Sequence, residues 1–211
     1  MIPPATGDGG ITLYGWHTVA AALKNPRRRI RSLQLTENAA HRLAEADPLP
    51  ALDVSDIPEA GMVLALDQIT DPHNVGAILR SAAAFAVQAV VTTGRHSPEA
   101  TGVLAKAASG ALDLVPLVEV PNLARGLTGL AERGFLLIGL DSAGTADLAA
   151  IPLAAPLVLV IGAEGKGLRH LTRTICHQVA RLDLPGEIKS LNVSNAAALS
   201  LYVASRRLAE S

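Results

Sequence analysis

The chain has 211 residues, of which 49% are hydrophobic, 18% charged and only 2% aromatic, and its formal net charge is −1. This composition excludes a disordered chain and predicts a globular protein with a core of Ala, Val, Leu and Ile. Bulk charge neither suggests nor excludes a nucleic-acid partner, so evidence for one has to be local. The single Cys176 rules out an internal disulfide, fits a reducing cytosol and is expected to be a small buried hydrophobe.

The sequence predicts neither a membrane protein nor a metalloprotein. No apolar run approaches the roughly 20 residues needed to span a bilayer. The opening MIPPATGDGG lacks the charged-then-apolar pattern of a signal peptide and is expected to be a flexible leader of a cytoplasmic protein. The histidines are scattered without Cys partners or an H-E-x-x-H spacing, so we expect no metal.

A small N-terminal domain is expected at residues 12–46, followed by a Pro- and Asp-containing linker at 47–60. The sequence predicts a helix at 16–25, a strand at 30–36 and a second helix at 38–46, which is too little to bury a good core alone. Its run NPRRRIR places four arginines together. They form either a solvated turn or a surface that binds RNA phosphates. These arginines are Arg27, Arg28, Arg29 and Arg31.

The larger region, residues 61–211, alternates apolar strands with helical segments. Strands are expected at 62–67, 89–93, 114–120, 135–140, 157–162 and 180–184, and helices at 74–87, 99–108 and 122–133. Continuous apolar strands alternating with helices predict an α/β fold, a parallel sheet covered by helices on both faces. Ligands bind such sheets beyond the carboxyl ends of the strands, where the turns TTGRHSP, GLDSAGT and IGAEGKGL lie.

The helical run DPHNVGAILRS carries one Asn at its entrance, Asn74, and one Arg in its middle, Arg80. Gly76, Ala83 and Ala84 neighbour Arg80 on a helix, and we expect them to leave open space around its guanidinium. An apolar stripe beside them should face the core. It consists of Val75, Ile78, Leu79 and Ala82.

The run VLVIGAEGKGL leads an apolar strand into a loop with Gly162, Gly165 and Gly167. The spacing G-x-x-G-x-G is neither the dinucleotide fingerprint nor a P-loop, so a ligand loop and a simple tight turn both fit it. Glu164 stands just past a buried strand. It is either positioned to meet a substrate or a cation, or it is a solvated loop residue.

The run IKSLNVSNAAALSLY has four polar side chains within six positions, Ser190, Asn192, Ser194 and Asn195. One N-cap needs only one of them, so capping does not explain the cluster and a functional use is indicated. The following helix has an apolar stripe. It is formed by Ala197, Leu201, Ala204 and Leu208.

Taken in this order, DPHNVGAILRS, LVIGAEGKGL and SLNVSNAAALSLY resemble the three motifs of the SpoU-type RNA 2′-O-ribose methyltransferases of the SPOUT superfamily. The resemblance covers about residues 60–209, and the ordered triplet is far more specific than any one run. The stretch YGWHTVAAALKN also resembles the start of the small RNA-binding domain of members that act on a guanosine of large-subunit ribosomal RNA.

The resemblance implies a C-terminal trefoil knot, a homodimer and S-adenosylmethionine bound in the knot. It places at the reacting ribose Asn74, Arg80, Glu164, Ser190 and Asn192. It implies that the cofactor contacts, largely through backbone groups, Thr93, Gly94, Gly139, Leu140, Ile161, Gly162, Gly165, Leu182, Pro185, Leu191, Asn192 and Ala196. The expected RNA-binding residues are the four arginines of NPRRRIR together with Arg80.

The sequence departs from the family's pattern in the small domain. Members commonly carry another strand and a His-Gln-Gly-like run before the linker, whereas here Ala46 passes almost directly to Asp47 and Pro48. Either a stretch is missing or the domain is reduced, which leaves transfer RNA as an alternative to ribosomal RNA. Two other interpretations are a non-catalytic RNA-binding relative and a dinucleotide-dependent enzyme, which would carry G-x-G-x-x-G where DQITDPHN stands.

Overall fold

The computed structural model describes residues 10–35, 42–46, 49–94 and 102–210. Residues 1–9 of the expected leader therefore lie outside the described residues, as do the first parts of the helices expected at 38–46 and 99–108. Within the described ranges, no helix combines the length and the apolar character needed to cross a membrane.

The chain forms ten strands and six α-helices in its described parts. The strands are β1 (Ile11–Tyr14), β2 (Ile30–Leu35), β3 (Arg42–Ala46), β4 (Met62–Asp67), β5 (Ala89–Thr93), β6 (Leu117–Val120), β7 (Leu136–Leu140), β8 (Ala146–Asp147), β9 (Leu157–Gly162) and β10 (Gln178–Arg181). The helices are α1 (Trp16–Lys24), α2 (Pro72–Ala84), α3 (Gly102–Ala108), α4 (Leu123–Glu132), α5 (His170–Ile175) and α6 (Val193–Ala209). Short 3₁₀ turns lie at Val54–Asp56 and Ala111–Asp113.

The large sheet has seven strands in the order β6-β5-β4-β9-β7-β10-β8, and each neighbouring pair is parallel. Its central strands β4 and β9 are buried along their whole length, as a sheet covered on both faces requires. The predicted parallel α/β sheet is confirmed. Strand β6 begins after Pro116 rather than at residue 114, and β10 ends at Arg181, before the chain enters the long 182–191 loop.

Helices cover both faces of this sheet. On one face α2 and α6 pack on alternate strand residues such as Leu64 and Leu159, and α3 packs on α2. On the other face α4 packs on residues such as Val63 and Val158, with the α5 segment beside it. The apolar stripes predicted for α2 and α6 lie in the first of these cores, and Ala197, Leu201 and Ala204 are fully buried.

The N-terminal sheet has the order β1-β3-β2 and is antiparallel. The helix predicted at 38–46 is wrong in its described part, because residues 42–46 form the central strand β3 of this sheet. Ala, Leu and Glu favour a helix intrinsically, but pairing with two neighbouring strands overrides that weak preference. Strand β1 was not predicted at all.

Buried polar contacts attach this N-terminal segment to the large-sheet region. The Arg28 Nε atom lies 2.6 Å from Asp113 Oδ1, and these side chains are only 3% and 2% exposed. Asn25 Nδ2 donates to the same carboxylate at 3.1 Å, and Thr18 Oγ1 donates to the Ala105 carbonyl at 3.1 Å. Arg28, predicted to grip phosphates, is therefore buried in an internal ion pair, which corrects that expectation.

Gly76, which was expected to leave open space around Arg80, has a different role in the structure. Gly76 is buried, and a Cβ added there would lie 2.4 Å from Ala107 Cβ on α3. The glycine thus permits the close packing of α2 against α3, and it does not clear room for a guanidinium. Arg80 itself is exposed.

The buried Arg28–Asp113 pair yields a stability prediction. Asp113→Ala removes the buried carboxylate that pairs with Arg28 and accepts from Asn25, which should lower the free energy of unfolding by about 3–5 kcal/mol. Urea unfolding measures it. The control is Glu210→Ala, which breaks the Arg206–Glu210 pair, 66% and 63% exposed, and should cost less than about 1 kcal/mol. Equal losses for the two variants would contradict the prediction.

Candidate functional site

Three loops meet beyond the carboxyl ends of the adjacent strands β9, β7 and β10. Together with the start of α6 they enclose a cavity of about 270 Å³. This is the edge at which parallel sheets bind ligands. Seven of the residues predicted to contact a cofactor lie in its wall. They are Leu140, Ile161, Gly162, Gly165, Leu182, Leu191 and Ala196.

The glycine loop after β9 folds back tightly on its own strand. Gly167 N donates to the Ala163 carbonyl at 2.9 Å, and a Cβ added to Gly162 would lie 2.2 Å from the Gly167 carbonyl carbon. Gly165 and Gly167 have φ angles of 74° and 63°, which glycine adopts at no steric cost. The interpretation as a tight turn is therefore confirmed, and the loop also forms part of the cavity wall.

Polar residues that the sequence analysis did not single out also line this cavity. Asp141 follows β7 and is held in place, since its Oδ1 accepts from Ala143 N at 2.9 Å and its Oδ2 pairs with Arg173 at 3.2 Å. Lys166 and Lys189 are exposed at the same cavity. The only sequence signal for Asp141 was its place in the turn GLDSAGT, after a predicted strand.

A second cavity of about 410 Å³ adjoins the first, and the two share Ala163, Glu164, Lys166 and Val193. Asn74 lies in its wall, in the first turn of α2, which Asp71 caps by accepting from His73 N at 3.1 Å. Glu164 therefore lies at the border of the two cavities.

Asn192 joins α6 to α2 beside these cavities. Its Oδ1 accepts from the Ser194 backbone and hydroxyl at 2.9 and 2.6 Å, so it caps α6. Its Nδ2 donates to Asn74 Oδ1 at 3.1 Å. Residues of all three sequence motifs thus meet here, because Glu164 and Asn74 line one cavity, and Asn192 contacts Asn74. Ser190 lines the first cavity.

Arg80 does not join this group within the described part of one chain. Arg80 lies six residues after Asn74 on α2, which separates the two residues by about 9 Å along the helix axis and about 120° around it. Arg80 is exposed and lines neither cavity. Helical phase therefore separates two residues that are close in sequence.

Five predicted cofactor residues also lie outside the first cavity wall, and one of them is Asn192, described above. Thr93 ends β5 and lines a different cavity with Asn122 and Arg169, and Gly94 follows it. Pro185 is exposed in the 182–191 loop. Gly139 is buried in β7, where an added Cβ would lie 2.7 Å from Leu168 and 3.0 Å from Cys176.

Cys176 packs behind β7 as a half-buried thiol that donates to the Thr172 carbonyl at 3.2 Å. Burial, and secondly the negative charge of Asp67, raises the pKa of this thiol to about 11. Asp67 is itself fully buried and paired with Arg169 at 2.6 Å. Cys176 is therefore a protonated packing residue at neutral pH.

One buried polar group in the first cavity wall lacks a partner. Ser200 is fully buried in α6, and its Oγ has no hydrogen-bond partner among the described residues. The sequence offered no signal for it, since a serine between Leu199 and Leu201 resembles any helical position.

Comparison with known proteins shows similarity to one protein family. The SpoU rRNA methylase family profile matches residues 61–202. The chain is 48% identical over 143 residues to 23S rRNA (guanosine-2'-O-)-methyltransferase RlmB of Pseudomonas aeruginosa, covering 67% of this chain and 57% of that protein. It is 41% identical over 169 residues to the protein of the same name from Shewanella oneidensis, covering 80% of this chain and 68% of that protein.

Solved structures show the same fold. The SpoU methyltransferase AviRb from Streptomyces viridochromogenes in complex with AdoMet has a TM-score of 0.84 at 24% identity, covering 96% of this chain and 92% of that one. The A. aeolicus TrmH/SpoU tRNA modifying enzyme has a TM-score of 0.65 at 23% identity, covering 74% of this chain and 80% of that one.

The close approach at Gly162 generates a prediction for the glycine loop. Gly162→Ala places a methyl group against the Gly167 backbone, which should lower the free energy of unfolding by about 1–3 kcal/mol. The control Gly186→Ala meets no atom within 4 Å and should change it by less than about 0.5 kcal/mol. Urea titration followed by circular dichroism compares the two. A neutral Gly162→Ala would refute the packing described for this loop.

Proposed function

The chain belongs to the SpoU rRNA methylase family, and on this basis we propose that it is an S-adenosylmethionine-dependent methyltransferase acting on the ribose 2′-hydroxyl of a guanosine in 23S ribosomal RNA. The observation that carries the proposal is the meeting of Asn74, Glu164 and Asn192 where the two cavities adjoin. The names of the relatives that are 48% and 41% identical support the same substrate. Ribosomal RNA and the lone Cys176 both fit a cytoplasmic location.

The first cavity fits S-adenosylmethionine by its chemistry. Apolar side chains such as Ile161 and Leu182 and the closely approached backbone of the glycine loop suit a flat purine and its sugar. Asp141, Lys166 and Lys189 suit the charged amino-acid tail. When bound, S-adenosylmethionine supplies a methyl group already activated on a sulfonium.

The chain's own residues align the sugar and manage its proton. Asn192 donates to Asn74 Oδ1, so the Nδ2 hydrogens of Asn74 can donate to a sugar oxygen. Glu164 presents a carboxylate at the border of the two cavities, to which the 2′-hydroxyl can donate. Holding a hydroxyl in line with the methyl group contributes several kcal/mol of rate enhancement.

We assign Arg80 of the partner subunit to this site, in a homodimer built on α2 and α6. These helices pack together and leave Leu199 and Tyr202 38% and 54% exposed, with Phe85 edge-to-face on Tyr202 at 6.5 Å. An apolar exposed patch of this kind supports a contact between copies. A guanidinium stays charged, so Arg80 stabilises the developing alkoxide or a phosphate and does not accept the proton.

The remaining parts of the proposal concern architecture. Residues 61–211 form the catalytic domain, with a trefoil knot at its C-terminal end, and residues 12–46 form an RNA-binding domain joined by 47–60. The placement of the 162–167 and 182–191 loops in one cavity wall supports threading of one past the other. The exposed Arg27, Arg29 and Arg31 support phosphate contacts by the small domain.

Methyl transfer from tritiated S-adenosylmethionine tests the function directly. The purified protein should label 23S ribosomal RNA and not transfer RNA, and the label should map to a guanosine 2′-oxygen. Asn192→Ala should lower the rate by about 10²–10³-fold, the size expected when a positioned donor is lost. Asn195→Ala, an exposed neighbour in the same run, is the matched control and should retain activity. Labelling of transfer RNA alone would contradict the proposed substrate. The absence of any labelling would contradict the proposed methyltransferase activity.

Subunit mixing tests the role of Arg80. Arg80→Ala should abolish methyl transfer while leaving affinity for S-adenosylhomocysteine nearly unchanged, and Arg80→Lys should also fail because an ammonium lacks the planar fork. When Arg80→Ala and Asn192→Ala subunits are mixed and allowed to exchange, about half of the dimers contain one subunit of each kind. Each mixed dimer has one complete site out of two, so about a quarter of the wild-type activity should return. No recovery after verified reassortment would place Arg80 and Asn192 in the same subunit's site.

A further inference from the structure

Ser200 differs from two other helical hydroxyls of the described residues, those of Ser81 and Thr128, in having no hydrogen-bond partner. A serine or threonine inside a helix commonly donates to the carbonyl four residues earlier. Ser81 donates in this way to the Ala77 carbonyl at 3.2 Å, and Thr128 to the Ala124 carbonyl at 3.0 Å. Ser200 Oγ is buried and makes no such bond within the described residues. A buried hydroxyl without a partner is destabilising, and a ligand in the first cavity would supply the missing partner.

The position of Ser200 in the cavity limits what that partner is. Val193, Ala196 and Ser200 follow one another on one stripe of α6, and all three line the first cavity. Ser200 lies about 12 Å along the helix from Asn192, which contacts Asn74. Ser200, Val193 and Ile161 are buried members of this wall, whereas the charged residues Glu164 and Lys189 are exposed. Ser200 thus belongs to the buried part of the wall, at a distance from the residues placed at the sugar.

From this placement we propose that the Ser200 hydroxyl hydrogen-bonds to the adenine ring of S-adenosylmethionine and so contributes to selection of that base. The inference rests on the proposed function and deepens it. The methyl group has to lie near Asn74 and Asn192, and the charged amino-acid tail requires the charged residues of the wall, such as Asp141 and Lys189. Adenine combines apolar faces, which suit a buried wall, with a polar edge to which a single hydroxyl can hydrogen-bond.

Calorimetry with S-adenosylhomocysteine and the purified full chain tests the proposal. Ser200→Ala should weaken binding by about three- to tenfold, the usual net value of one hydrogen bond. The matched control is Ser205→Ala on the same helix, where the hydroxyl already donates to the Tyr202 carbonyl at 3.0 Å, and it should leave affinity unchanged.

Analogues of S-adenosylhomocysteine locate the bond. One member of a set with 1-deaza-, 3-deaza- or 7-deaza-adenine, or with hypoxanthine, should bind wild-type protein and Ser200→Ala equally, because it lacks the bonding atom. The ligand-free Ser200→Ala protein should melt about 2–4 °C higher than wild type, since an unsatisfied buried hydroxyl has been removed.

The possible failures are distinct. If Ser200→Ala weakens every analogue by the same factor and lowers the melting temperature, Ser200 is a packing residue and the inference is overturned. Unchanged affinity for S-adenosylhomocysteine overturns it as well, while leaving the proposed function intact. If the wild-type protein binds no S-adenosylhomocysteine, the proposed function itself is rejected, and the inference with it.

Discussion

The close backbone approach at Gly162 is the constraint on which the rest of the site depends. The strand β9 ends there, and the next five residues fold back so far that no side chain fits between Gly162 and Gly167. This turn sets Glu164 and Lys166 between the two cavities, where one side can hold a cofactor and the other a substrate. A looser loop would leave the same residue types present but would not bring them to a common border.

The fold was predicted best where local pattern and tertiary environment agree. Strands 62–67 and 157–162 were predicted to the residue, because continuous apolar runs are what a doubly covered parallel sheet requires. The prediction for 42–46 failed because pairing with β1 and β2 is a nonlocal interaction that composition does not encode. Gly76 was misassigned for the same reason, since its partner Ala107 belongs to another helix.

The site was predictable in its residue types and less so in its geometry. An excess of polar side chains at a helix start indicated Asn192, and the structure shows one of its groups capping α6 and another bonding Asn74. Position along a motif does not give position in space, as the helical phase between Asn74 and Arg80 demonstrates. Ser200 carried no sequence signal, because its importance lies in burial without a partner.

A continuous set of contacts links the N-terminal segment to the candidate site. Arg28 is buried against Asp113, which follows α3, and α3 packs closely on α2 at Gly76. Asn74 lies half a turn before Gly76 on α2, so α3, which contacts the N-terminal segment, also supports the helix that carries this residue of the second cavity. In the proposed function, an RNA bound by Arg27, Arg29 or Arg31 would therefore meet Asn74 at a distance set by packed helices. The N-terminal segment would then position RNA because it is fixed to the large-sheet region.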